Sequence, residues 1–132
     1  MNLNEWVMSE LNRIPKEQFV EQFRQRTKKL ALDVIRFSQS LPRTEEVIIM
    51  KRQLLRSATS VGANYRAACR ARSSAEFYSK VSIVIEEADE TMFWLELLEE
   101  SGSTSKSATA PLVKETTEIL SVLAKARKNT TR

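Results

Sequence analysis

Gln53-Leu-Leu-Arg-Ser-Ala-Thr-Ser-Val-Gly-Ala-Asn-Tyr-Arg-Ala-Ala-Cys-Arg-Ala-Arg-Ser-Ser-Ala-Glu-Phe77 is the stretch whose spacing decides the fold. Leu54, Ala58, Val61, Tyr65 and Ala68 recur at helical spacing and form one apolar seam. Arg52, Arg56, Thr59, Ala63, Arg66 and Arg70 form a second seam, basic at both ends and small in the middle. Arg72-Ser73-Ser74-Ala75-Glu76 then reads as a helix stop and a new start, with Ser73 and Glu76 spaced for a capping box. One side of this helix suits a core, and the other suits a partner.

The pattern extends in both directions. Upstream, Thr44 is a good N-cap, and Glu45 and Glu46 sit where the helix dipole favours negative charge, so this helix is predicted over Thr44–Ala71. Gly62 falls mid-helix, at about 1 kcal/mol relative to alanine. With Ser57, Ala58, Ser60 and Ala63 around it, the compensation expected is close approach of another helix. Ser60 and Asn64 stand one turn apart beside the seam, and a buried Asn64 could fix helix register. Phe19, Phe23, Leu30, Val34, Phe37 and Leu41 predict a preceding helix over Lys16–Ser40, stopped by Leu41-Pro42. Leu3, Trp6, Val7 and Leu11 suit a short amphipathic helix over Asn2–Arg13 before Pro15.

Downstream, Phe77, Val81, Val84, Ala88, Thr91, Leu95 and Leu98 keep a four-three spacing, which predicts a helix over Ser74–Ser101 closed by Gly102. Tyr78, Ile85 and Met92 lie beside that seam, and Ile83, Trp94 and Leu97 lie further round. So broad an apolar face suggests more than one partner helix, and another subunit. Ser101–Ala110 reads as a polar loop, and Pro111 opens a last helix to Arg127 with Leu112, Val113, Ile119, Leu120 and Leu123 on its core side. The expected architecture is all-α: an up-down-up-down four-helix bundle occupying residues 1–132 as one domain.

Composition excludes much chemistry. With 2 Gly and 3 Pro in 132 residues, the turns that a sheet requires cannot be supplied. No apolar run is long enough for a membrane span, and Met1–Trp6 lacks the features of a signal peptide, so the cytoplasm is expected. The absence of histidine removes the commonest general base and metal ligand. Glu86, Glu87, Asp89 and Glu90 therefore lack the histidines of a bundle di-iron site and read as a solvated face or salt-bridge partners. Two glycines cannot make a phosphate-cradling loop, and the single Cys69 beside the seam reads as packing. The expectation is a protein that is not an enzyme, with no cofactor, no metal and no small-molecule substrate.

Charge is the feature these exclusions leave. From Arg13 to Arg72 there are fourteen Lys or Arg against five Asp or Glu; from Ser73 to Glu100, Lys80 stands alone against eight carboxylates. Arg52, Arg56, Arg66 and Arg70, with Arg72 and then Arg43, Lys28 and Lys29 nearby, could hold RNA or DNA by its phosphates, since the guanidinium fork donates two hydrogen bonds at once. No aromatic residue interleaves with these arginines, so base stacking is not indicated. The competing reading pairs the same arginines with Glu86, Asp89, Glu96 and Glu100 of the next helix, within a chain or between subunits.

Leu41-Pro42, Gln53-Leu-x-Arg56-Ser-Ala-x-Ser60-Val61-x-x-Asn64, Arg72-Ser73-x-x-Glu76-Phe77, Glu86-Glu87-Ala88 and Leu95-Glu96-Leu97-Leu98 together resemble the bacterial four-helix-bundle family that includes proteins encoded by intervening sequences in 23S rRNA genes. The resemblance covers roughly Arg26 to Gly102. It implies a small bundle that assembles as a homopentamer. It also implies kinship with the accessory protein of diversity-generating retroelements, a basic bundle that binds nucleic acid and reverse transcriptase. Many family members read Asn-Ile-Ala-Glu-Gly where this chain has Asn64-Tyr65-Arg66-Ala67-Ala68. The family glutamate and glycine are absent here, and Arg66 and Arg70 are gained.

Overall fold

The computed structural model describes residues 16–130, which form α1 (Lys16–Gln39), α2 (Glu45–Ala68), α3 (Ser74–Glu100) and α4 (Lys106–Lys128). The expected helix over Asn2–Arg13 lies outside the described residues. Each helix packs on its neighbour in sequence, and α1 closes the ring against α4. Cross-helix contacts fix the directions. Ser57 meets Thr91, while Arg127 near the end of α4 meets Ser82 near the start of α3. The result is the antiparallel up-down-up-down bundle that the apolar seams require.

The ends of the helices follow local chemistry. The Thr44 hydroxyl accepts the Val47 N–H at 3.4 Å, and the Ser73 hydroxyl accepts the Glu76 N–H at 3.1 Å. Glu76 reaches back to the Arg72 N–H at 3.1 Å, which completes a capping box shifted by one residue. Gly102 has φ 79°, and the Ser103 and Gly102 N–H groups return to the Leu98 and Glu99 carbonyls, a conformation that favours glycine. Two boundaries differ from expectation. Helix α2 stops at Ala68 rather than Ala71, because Arg70 and Ala71 donate to Ala67 and Ala68 in tighter turns. Helix α4 begins at Lys106, five residues before Pro111. Ser105 caps it by accepting the Ala108 N–H at 3.2 Å, and the turn it adds buries Thr109. Those gains outweigh the one backbone hydrogen bond that Pro111 forfeits.

Leu54, Ala58 and Val61 of α2 are fully buried, as are Val81, Val84, Ala88, Leu95 and Leu98 of α3. Leu30 and Val34 of α1, with Ile119 and Leu123 of α4, complete the same core. The polar groups buried among them are Thr27, Ser38, Ser57, Thr91, Thr109 and Thr116, all hydroxyls. Thr27, Ser38, Ser57, Thr109 and Thr116 donate to a carbonyl of their own helix, and the one Thr91 proton lies within reach of both Glu87 O and Ser57 Oγ, so none of these hydroxyls leaves a buried donor unpaired. Register falls to Ser57 and Thr91, whose oxygens are 3.0 Å apart between α2 and α3. Asn64 does not take that role: it is half-buried and its Nδ2 donates to Ser60 O of its own helix at 2.9 Å.

At Gly62 the expected close approach is present. A Cβ there would meet Thr27 O at 3.4 Å and Lys28 Cα at 3.8 Å, so the backbone of α1 lies against it. One methyl fits at that separation. Gly62→Ala should therefore stabilise the bundle by up to about 1 kcal/mol through helix propensity. Gly62→Leu should destabilise it by about 1–3 kcal/mol, because its further carbons have only the α1 backbone to displace. Thermal melts of the two variants check both signs.

Phe23 meets Tyr65 edge-on with ring centres 4.9 Å apart, and Phe19 stacks on Phe23. Burial pushes the Tyr65 phenol well above its ordinary value, and the neighbouring Cys69 adds to the rise. The folded chain keeps that proton while the unfolded chain releases it above about pH 10, so stability falls as pH rises past that point. The expected slope is about 1.4 kcal/mol per pH unit from this group. Tyr65→Phe should remove it, which urea denaturation between pH 9 and 11 measures by difference (about the range where the free phenol titrates).

Candidate functional site

The second seam of α2 is a solvent-facing stripe. Arg52, Arg56, Thr59, Ala63, Arg66 and Arg70 are all exposed, and so is Arg72 in the link to α3. Arg52 to Arg66 spans about 21 Å at the rise of an α-helix. Arg70 lies in the turn beyond Ala68, so Arg66 and Arg70 bracket the end of α2 instead of sharing an unbroken helix. That end carries partial negative charge, which favours cations placed there.

The stripe divides by partner. Arg56 pairs with Glu87 at 3.0 Å and with Glu90, and Trp94 Nε1 donates to Glu90 at 3.3 Å. Arg52, Arg66, Arg70 and Arg72 make no ion pair with another described residue. Within the chain, the acidic partners are thus Glu87 and Glu90, not Glu86, Asp89 or Glu96, which are exposed on α3. The reason is angular: Glu87 and Glu90 share a flank with Trp94 that turns toward α2, whereas Glu86, Asp89 and Glu96 turn to solvent. Of the outlying cations, Lys28 and Arg43 are exposed, and Lys29 is held by Asp33 at 2.6 Å.

A charge cluster absent from the sequence expectation joins α1 to α4. Arg26 donates from Nε and Nη2 to Glu115 at 2.8 and 2.6 Å, and also to Glu118. The Glu115 hydrogen bond, helped by both carboxylates and opposed by burial, raises the Arg26 guanidinium above its ordinary value. Arg26 stays charged in any case, so the cluster is a structural tie between the first and last helices. Its only sequence signal is Glu115 and Glu118 standing one turn apart in an otherwise basic helix. Among the described residues no three Cys, Asp or Glu gather as a metal site requires, and no helix is long and apolar enough to cross a membrane.

These features define a small antiparallel four-helix bundle with a cationic stripe on one outer helix. The chain belongs to the 23S rRNA-intervening sequence protein family, whose model matches residues 21–125. The match runs beyond the resembling segment at both ends and takes in most of α1 and α4. The chain is also similar to a crystal structure of a protein of unknown function from the S23 ribosomal protein family of Bacteroides thetaiotaomicron VPI-5482. The two are 31% identical with a TM-score of 0.77, over 83% of this chain and 98% of that one. No curated protein matches the chain.

Proposed function

We propose that this protein is a non-enzymatic, homo-oligomeric adaptor, a pentamer in the cytoplasm, that holds RNA or DNA by its phosphate backbone. The observation that carries this reading is the division of the stripe. Arg56 is neutralised by Glu87 and Glu90, while Arg52, Arg66, Arg70 and Arg72 remain exposed without a described ionic partner. Exposed guanidinium groups spread along one face can follow a phosphate chain without reading its sequence. Fluorescence anisotropy with a labelled single-stranded RNA and a DNA duplex, across a salt series, tests it. Binding should weaken steeply with salt. A protein that ignores both probes at low salt defeats the reading.

A second reading rests on a different observation. Ile49 and Phe93 are 57% and 51% exposed, and Phe93 lies on α3 amid the exposed Glu86, Asp89 and Glu96. An apolar residue amid carboxylates suits a subunit contact that draws on a neighbour's arginines, making the protein a scaffold with no nucleic-acid role. Light scattering coupled to gel filtration, with and without RNA, separates the two readings. Under the second, adding RNA leaves the mass unchanged.

A further inference from the structure

At one end of the bundle the four helices leave a cavity of about 780 Å³. Its volume falls within the range of roughly 300–1,000 Å³ usual for small-molecule sites, and bundle helices are a common setting for them. The start of α1 and the end of α2 contribute Phe19, Phe23 and Tyr65, and the first turn of α3 contributes Phe77. Val122 and Ala126 of α4 form the opposite wall. The space opens to solvent at the bundle end, and four aromatic side chains line it.

The polar part of the lining is one-sided. Among the described lining residues there is no carboxylate, and Arg72 is the one charged side chain. Arg72 is exposed and makes no ion pair with another described residue. Its backbone N–H is held by Glu76 at 3.1 Å, which fixes the link while leaving the guanidinium available. Ser73 and Ser74, which open α3, lie beside it on the same rim. The first N–H groups of a 27-residue helix add positive potential there.

We propose that this cavity binds a small amphiphilic carboxylate, its apolar body among Phe19, Phe23, Tyr65 and Phe77 and its head on Arg72. One guanidinium fork matches one carboxylate bidentately. The apolar walls favour an alkyl chain or an aromatic ring over a sugar or a nucleotide. This site shares Arg72 with the nucleic-acid reading but otherwise needs the bundle end and not the α2 stripe, so Arg52, Arg66 and Arg70 play no part in it.

Isothermal titration of the full chain with decanoate and with decanol tests both halves of the site. Decanoate should bind saturably at one per chain. Arg72→Gln should weaken decanoate about tenfold, the loss of a charge-assisted pair, and leave decanol unchanged. Ala126→Trp, from the α4 wall, should abolish both, and Val20→Trp should do so from the α1 wall if the first variant unfolds. Circular dichroism identifies the folded variants. Absence of saturable decanoate binding at millimolar concentration overturns the proposal. So does binding indifferent to the tryptophan variants, or decanoate binding that ignores Arg72.

Discussion

Arg66→Glu/Arg70→Glu is expected to lose RNA and DNA binding by about a hundredfold at low salt while its mass stays unchanged and its melting temperature falls by only a few degrees, the cost of two carboxylates at the end of α2. Each guanidinium that neutralises a phosphate adds close to one unit to the salt dependence, so the variant's log-log slope should fall by about two. Both side chains are exposed and make no described ion pair, so the fold has no evident stake in them beyond a favourable charge at the end of α2. Arg56 would be a poor choice for this experiment. Its replacement leaves Glu87 and Glu90 facing each other without their cation and confounds binding with stability. The scaffold reading expects the opposite pattern. There the double reversal changes subunit number, and a compensating Asp89→Arg or Glu96→Arg restores it.

Leu54→Ala should destabilise the bundle by about 2–5 kcal/mol. Leu54 is fully buried on α2, which packs against both α1 and α3, so the void opens at the centre of the bundle. Domains of this kind hold roughly 5–15 kcal/mol in total, so the loss removes a large share of the margin. Urea denaturation should show a much lower midpoint with an unchanged slope. Ile49→Ala removes a comparable side chain from the same helix at a position 57% exposed, and should barely move the midpoint. A similar loss at both positions would mean that Ile49 is covered in an assembly.

What was legible in the sequence depended on range. The seams of α2 and α3, the Thr44 and Ser73 caps and the Gly102 stop are local patterns, and every one has its counterpart in the fold. The start of α4 was not legible, because Pro111 is a strong boundary signal while Ser105 is a weak one amid serines and threonines. The arginine stripe was legible as a face. Its partners were not: choosing Glu87 and Glu90 over Glu86 and Asp89 requires the rotation of α3 about its axis, which depends on packing. The cavity was invisible for a stronger reason. Its walls come from four separated segments, none with a motif of its own.

The Ser57–Thr91 contact has a consequence for how the chain avoids error. Apolar seams are nearly periodic, so α2 displaced by one turn along α3 would still find grease to bury. Displacement by about 5.4 Å sets both hydroxyls against alkyl carbons and parts Arg56 from its carboxylates. The contact thus acts as an index mark on a sliding scale, rejecting near misses that oil alone would accept. The pairing of Arg56 with Glu87 and Glu90 depends on such a mark, because charges on two helices meet only as reproducibly as the alignment beneath them.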